Sequence, residues 1–248
     1  MNKQQDSSRF TLSLNRRSFL TTLGIATASG LLGFAQGGGL AYADALSKAK
    51  RDKMTPDDII AREMIGNERF RTGQRKDRNF LREQMITAKG QYPAAIVLSC
   101  IDSRAPAELI FDLGIGDIFS ARVAGNIAND DILGSMEYAC AVAGSKVVLV
   151  MGHTACGAIK GAIEKVQLGN LTGLLKKIRP AVETTQYDGE RTSKNDTFVN
   201  AVARKNVELT MAGIRAGSPL LKELETKGSV KIVGAMYDLD TAVVKFLS

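Results

Sequence analysis

An α/β fold with a mainly parallel central sheet is predicted by three observations. Short apolar runs rich in β-branched residues alternate along the chain with segments of helical periodicity. Two of these runs, residues 94–99 and 146–151, are almost continuously apolar, as buried strands are. The last two, 230–236 and 241–247, are joined by a turn at 238–240 short enough for an antiparallel pair. The expectation is four parallel strands plus an antiparallel fifth, flanked by helices.

The chain has 248 residues, 44% hydrophobic and 24% charged, which is enough for one sizeable core. Residues 1–43 stand apart. Asn15-Arg16-Arg17-Ser18-Phe19-Leu20 leads into a weakly apolar run rich in Gly, Ala and Thr, and Ala41-Tyr42-Ala43 has the form of an A-x-A cleavage site. Paired arginines before such a run resemble a twin-arginine export signal, cleaved to leave a periplasmic or extracellular protein. Ser29-Gly30 and Gly37-Gly38-Gly39 interrupt the run and argue against a membrane anchor. The segment holds Lys3, Arg9, Arg16 and Arg17 against Asp6, so without it the net charge falls from +7 to +4. No basic run with interleaved aromatics remains, which argues against nucleic acid as a partner. No later stretch is long enough to span a bilayer.

Residues 44–54 are charged and read as a flexible segment. Thr55-Pro56-Asp57-Asp58 has the N-cap, the proline and the acids of a helix start. Ile59, Ile60, Met64 and Phe70 continue its apolar face to Thr72-Gly73, and 79–89 reads as a second helix. Early helices with apolar faces and little local sheet suit wrapping a partner subunit. Gly90-Gln91-Tyr92-Pro93 breaks the pattern before strand 94–99. A loop at 100–104, a short helix at 106–111 and a strand at 117–123 follow. Ala124-Gly125-Asn126 turns into a long helix at 130–143. Strand 146–151 ends at Gly152-His153, and Cys156-Gly157 opens a helix to about residue 166. Residues 169–217 read as polar-faced helices joined at Tyr187-Asp188-Gly189, and 220–226 as a short helix stopped by Lys227-Gly228. Residues 55–248 thus read as a single domain.

Two strand ends carry the chemistry. Cys100 follows the first strand, and His153-Thr154-Ala155-Cys156 follows the third. Ligands of parallel sheets sit at the carboxyl ends of strands. His153 is the sole histidine, and two of the three cysteines lie in these pieces. Two thiolates and an imidazole suit Zn²⁺, and three protein ligands leave a fourth position for water, the pattern of a catalytic site. Cys156 sits at a helix start, where exposed N–H groups favour thiolate. A Cys100–Cys156 disulfide is the rival in an oxidising compartment. Loading the metal before export of the folded chain would protect both thiols. Cys140, on a helix after Met136 and Tyr138, reads as core. Asp102 and Arg104 form a loop salt bridge or, beside a metal-held water, a carboxylate fixed by a guanidinium to accept that water's hydrogen bond.

Cys-x-Asp-Ser-Arg at 100–104 followed by His-x-x-Cys at 153–156 resembles the β-class carbonic anhydrases. The likeness extends through Pro106-Ala107-Glu108, Phe111-Asp112, Gly116-Asp117-Ile118-Phe119, Ala124-Gly125-Asn126, Glu137-Tyr138-Ala139 and Gly157. It implies one Zn²⁺ per chain on Cys100, His153 and Cys156, with Asp102 and Arg104 as the catalytic dyad. The implied reaction is reversible hydration of CO₂ to bicarbonate and a proton by zinc-bound hydroxide. A homodimer or higher oligomer with exchanged helices is implied too. Gln91 matches a glutamine of the plant-like branch that donates a hydrogen bond to substrate. Phe119, Tyr138 and Gly157 match the substrate pocket, with Tyr138 expected from the partner subunit. In some members the aspartate leaves its arginine and becomes a fourth ligand in a closed state. Those members lack the glutamine, so the resemblance implies an open site with Asp102 paired to Arg104. Val123 stands where the family usually has Asn, and the sole histidine leaves no second one to shuttle protons.

Two other functions remain at this level. Relatives with the same fold and ligands hydrolyse carbon disulfide or carbonyl sulfide. A non-catalytic zinc-binding or redox protein would need the ligands but not Asp102, Arg104 and Gln91.

Overall fold

The computed structural model describes residues 42–247. The paired arginines and the apolar run after them lie outside the described residues. The chain builds α1 (Lys48–Lys53), α2 (Pro56–Arg71), α3 (Phe80–Thr87), β1 (Ala95–Ser99), α4 (Ala107–Ile110), β2 (Ile118–Arg122) and α5 (Asp130–Glu137). There follow β3 (Val147–His153), α6 (Gly157–Glu164), α7 (Gly169–Thr184), α8 (Asp196–Gly217), α9 (Pro219–Thr226), β4 (Lys231–Tyr237) and β5 (Val244–Phe246). Among the described residues, no helix is long and apolar enough to cross a membrane.

Local sequence accounts for the helix starts. Thr55 and Asp58 form a reciprocal capping box with Pro56 in the first turn of α2. Asn129, Asn195 and Ser218 cap α5, α8 and α9 through their side-chain oxygens.

The five strands lie in the order β2-β1-β3-β4-β5, the first four parallel and β5 antiparallel to β4. Alternation along β1 and β3 sorts the core. Val97, Val147 and Leu149 face Ile59 of α2 and Ile110 of α4. Ile96, Leu98, Val148 and Val150 face Met136 of α5, Val207 of α8 and Leu221 of α9. A third cluster packs α6, α7 and α8 beside Cys100 and Cys156.

Three local expectations need correction. The segment 44–54, read as a flexible segment, carries α1, capped by Ser47, and buries Arg51. Charge explains this. Arg51 donates to the Ala143 carbonyl at 2.6 Å, and Lys146 Nζ reaches the carbonyls of Asp52 and Met54. Leu46 N–H donates to the buried Asp117 carboxylate at 3.0 Å. The helix expected over 130–143 stops being α-helical at Glu137 and continues as a π-turn over Tyr138–Val142. The extra residue lets the consecutive Ala139 and Cys140 both face the core. The last strand is only Val244–Phe246, because Asn67 of α2 takes the Val244 N–H and the Ala242 carbonyl and holds the preceding residues in a turn.

Candidate functional site

From β1 the chain crosses to β2 on one side, whereas from β3 it crosses to β4 on the other. Opposite crossovers from adjacent parallel strands open a crevice at their carboxyl ends. Ser99 is paired with Met151, so Cys100 leaves β1 beside the end of β3, where His153 is the last strand residue. Cys156 is the N-cap of α6, reached through Ala155 at φ 52.

The Sγ atoms of Cys100 and Cys156 and a ring nitrogen of His153 all lie within 4.8 Å of one another, and all three residues are buried. The three cysteines of the chain are free thiols. His153 Nδ1 bonds the Thr154 carbonyl at 2.8 Å, which fixes the tautomer that leaves a lone pair on Nε2. That Nε2 is buried and has no hydrogen-bond partner among the described residues. A buried lone pair costs free energy unless a donor or a cation takes it up.

Charge points the same way. The Cys100 thiol is pushed down to about 4 by its hydrogen bond with Cys156, helped by His153 and by the Gly125 N–H, against the cost of burial. Cys156 is pushed up by sharing that bond with Cys100 and by burial, while the amides of Ala158 and Ile159 at the start of α6 oppose the rise. The two sulfurs and the imidazole nitrogen thus crowd one buried place, within 4.8 Å of one another. A soft or borderline cation in that place satisfies all three atoms, so the donor set fits Zn²⁺. Cys140 is pushed up to about 12 by burial alone and sits in the core away from these groups.

The loop after β1 presents Asp102 to the cluster. Its Oδ2 lies 3.9 Å from His153 Nε2. Arg104 donates to both carboxylate oxygens, Nε to Oδ1 at 3.0 Å and Nη2 to Oδ2 at 2.8 Å, and its backbone N–H adds a third bond at 2.9 Å. These bonds hold Asp102 well below the usual carboxylate range, so it is an acceptor only. Arg122, at the end of β2, clamps the loop from outside by donating to the carbonyls of Cys100 at 2.9 Å and Asp102 at 2.5 Å.

A cavity of about 450 Å³ opens beside the cluster, lined by Cys100, Ile101, Asp102, Ala124, Gly157 and Leu175 among others. Gly157 therefore borders the same space as Cys100 and Asp102. Phe119 and Tyr138 do not. Their rings meet edge to face at 6.2 Å and line a separate cavity against β2 and α5. Gln91 is exposed in the loop before β1 and lines neither cavity. Val123 packs between two core clusters and donates its N–H to Ser99. Sequence reasoning gave no role to Arg122 or to Gly125, whose N–H lies 3.3 Å from Cys100 Sγ. The signal was present, since both stand in the Arg-Val-Ala-Gly-Asn stretch, but spacing alone does not say what a residue 22 or 25 positions away touches.

Comparison with known proteins agrees with this geometry. The family described as carbonic anhydrase matches residues 95–244. The chain is 36% identical over 181 residues to carbonic anhydrase 2 of Mycobacterium tuberculosis, covering 71% of this chain and 84% of that one. It is 32% identical over 188 residues to a carbonic anhydrase of Mycolicibacterium smegmatis, covering 74% and 89%. Among solved structures it is similar to a tetrameric β-carbonic anhydrase of Sordaria macrospora, with TM-score 0.58 and 25% identity over 65% of this chain and 83% of that one. A β-carbonic anhydrase of Aspergillus fumigatus gives TM-score 0.60 and 25% identity over 68% and 81%.

Proposed function

The chain belongs to the β-class carbonic anhydrase family, and from that premise we propose that Cys100, His153 and Cys156 hold one Zn²⁺ and that Asp102 and Arg104 serve the reaction beside it. It is an enzyme, and its reaction is the reversible hydration of carbon dioxide to bicarbonate and a proton. The observation that carries the metal assignment is that a ring nitrogen of His153 and the sulfurs of Cys100 and Cys156 lie buried within 4.8 Å of one another.

Zinc bound there supplies a Lewis acid, which brings the pKa of water from about 15.7 towards 7. The rest is the work of this chain's own side chains. His153 is locked in one tautomer by the Thr154 carbonyl. Asp102, ionised and gripped by Arg104, accepts a hydrogen bond from a water or hydroxyl in the cleft and turns its lone pair towards substrate. Arg104 keeps Asp102 from swinging inward, because leaving would break a two-point charge-assisted pair. Arg122 fixes the backbone under both Cys100 and Asp102. Ile101, Ala124, Ala158 and Leu175 give the cavity an apolar wall, which suits a small molecule without charge or dipole. Gly157 keeps that wall open, as no atom lies within 4 Å of where its Cβ would stand.

The working unit we propose is a homodimer or a larger assembly of it. α3 supports this: its one buried residue is Glu83, while Phe80, Leu81, Met85 and Ile86 face outward. Met64 and Ile65 of α2, with Tyr138 and Val142 of the π-turn, add exposed apolar surface. A second copy covers these groups, and Gln91, Phe119 and Tyr138, which lie off this chain's own cavity, are then contributed to the neighbouring site. The twin-arginine pattern at Arg16-Arg17 supports export of the folded chain to the periplasm or beyond.

Metal analysis beside stopped-flow CO₂ hydration tests the central assignment. One zinc per chain with rapid turnover is expected. Stoichiometric zinc with turnover of carbon disulfide or carbonyl sulfide but not CO₂ would move the substrate. Zinc without any turnover would leave a binding protein. For export, Arg16→Lys with Arg17→Lys should leave the uncleaved precursor in the cytoplasm, and normal export of that variant would overturn the address.

A further inference from the structure

We propose that Asn206 of α8 is a positioning residue for Cys100, acting through Gly125. The inference rests on the assignment of Cys100, His153 and Cys156 as zinc ligands. Asn206 is buried, and its Nδ2 donates to the Gly125 carbonyl at 2.7 Å. Gly125 in turn aims its N–H at Cys100 Sγ, 3.3 Å away. The three residues come from α8, from the 3₁₀ turn after β2 and from the loop after β1.

The conformation of Gly125 explains why it needs a restraint. It sits at φ 69 and ψ 20, left-handed backbone that glycine adopts without steric cost. A Cβ there would stand 2.5 Å from Ile178 Cδ1, so a larger residue would also have to push that side chain of α7 aside. A glycine has no side chain to hold its own dihedrals. The buried amide of Asn206 supplies the hold, fixing the carbonyl on one side so that the N–H keeps its direction towards sulfur on the other. Asn206 lies on a helix face that also buries Val202, Ala203, Val207 and Thr210, where an apolar side chain would satisfy packing. A buried donor in that setting is retained for what it bonds.

An N–H donated to a thiolate draws charge from the sulfur. A sulfur so held gives less charge to a bound cation and is harder to protonate away from it, the general effect of partners that bond a metal ligand. α8 applies the same device to the other half of the site. Asn200 Oδ1 accepts the Ala155 N–H at 3.0 Å, in the turn between His153 and Cys156. One helix thus restrains both turns that bear on the ligands.

The test uses the full chain loaded with zinc or with cobalt(II). Asn206→Leu removes the donor, and Asn206→Asp keeps the shape but replaces donor by acceptor. Asn67→Leu is the control: Asn67 is equally buried and bonds the carbonyls of Ile110 and Ala242, with no path to sulfur. Both Asn206 variants should release zinc to a chelator at least about tenfold faster. Their thiolate-to-cobalt charge-transfer band should move to longer wavelength. Asn67→Leu should lower the melting temperature and move neither. If Asn206→Asp folds and matches the parent in release rate and band position, the positioning role is overturned. If Asn206→Leu fails to fold, Asn206→Asp alone decides. A parent protein that takes up neither metal would overturn the zinc assignment itself, and this inference with it.

Discussion

Arg104 holds Asp102 by both carboxylate oxygens, at 3.0 and 2.8 Å, while one of those oxygens stays 3.9 Å from the ring nitrogen of His153. The pair thus keeps a fixed acceptor at the edge of the cluster of Cys100, His153 and Cys156 without letting it enter. Arg104→Ala should leave metal content unchanged and lower hydration by about 10²–10³-fold, the usual cost of removing one preorganised polar group. In that variant Asp102 should titrate nearer the ordinary carboxylate range, because its main lowering partner is gone. Full activity in Arg104→Ala, measured beside its zinc content, would remove the pair from the mechanism.

Cys100→Ala, His153→Ala and Cys156→Ala should each lose zinc and reduce hydration to the uncatalysed rate. Chelation of the parent should lower its melting temperature, because it leaves three buried ligand atoms crowded together without the cation that joins them. Atomic absorption and thermal melts before and after chelation check both statements. Retention of a full equivalent of zinc by His153→Ala would show that the site lies elsewhere.

Glu63 of α2 should make stability fall with rising pH. Both its oxygens are buried without partners among the described residues, and burial raises its pKa from 4.5 to about 8, with Arg62 opposing. Between those two values the folded chain keeps a proton that the unfolded chain has lost, so stability declines as pH rises through the window and levels off above about 8. The total is on the order of a few kcal/mol. Glu63→Gln should flatten the slope, and Glu63→Met should raise the melting temperature most at alkaline pH. Parallel curves of melting temperature against pH for parent and Glu63→Gln would acquit this carboxyl.

Leu81→Glu combined with Met85→Glu should split the proposed assembly into monomers. Both side chains are exposed on α3, so the change costs the isolated chain little. Light scattering should show the lower mass and metal analysis an unchanged zinc content, with hydration lost if Gln91, Phe119 and Tyr138 act across the interface. An unaltered oligomer would place the contact on another surface.

Gly66→Ala should destabilise the docking of α2 severely, since a Cβ there would meet the Phe111 carbonyl oxygen at 1.9 Å. Overpacking against backbone costs typically about 1–3 kcal/mol or more. A melting temperature equal to the parent's would mean that α2 sits farther from α4 than described.

The sequence by itself determined the order of strands and helices along the chain, the antiparallel last strand and the place of the three candidate ligands, two at strand ends and one at a helix start. Those features are local. Cys100 is the residue after β1, His153 ends β3, and Cys156 caps the next helix, so apolar run and motif are read together. Only the tertiary structure decided that β1 and β3 are neighbours, which brings Cys100 to His153 across 53 positions of sequence. It also decided that residues 44–54 dock as α1, that α3 buries its glutamate and exposes its apolar side chains, and that Phe119 and Tyr138 line a different cavity from Asp102. The reason is the range of the forces involved. Periodicity and caps record what a residue does to its own few neighbours. Which strand lies beside which, and which buried amide meets which carbonyl, depends on closing long loops around one shared core, and no local pattern records that partner.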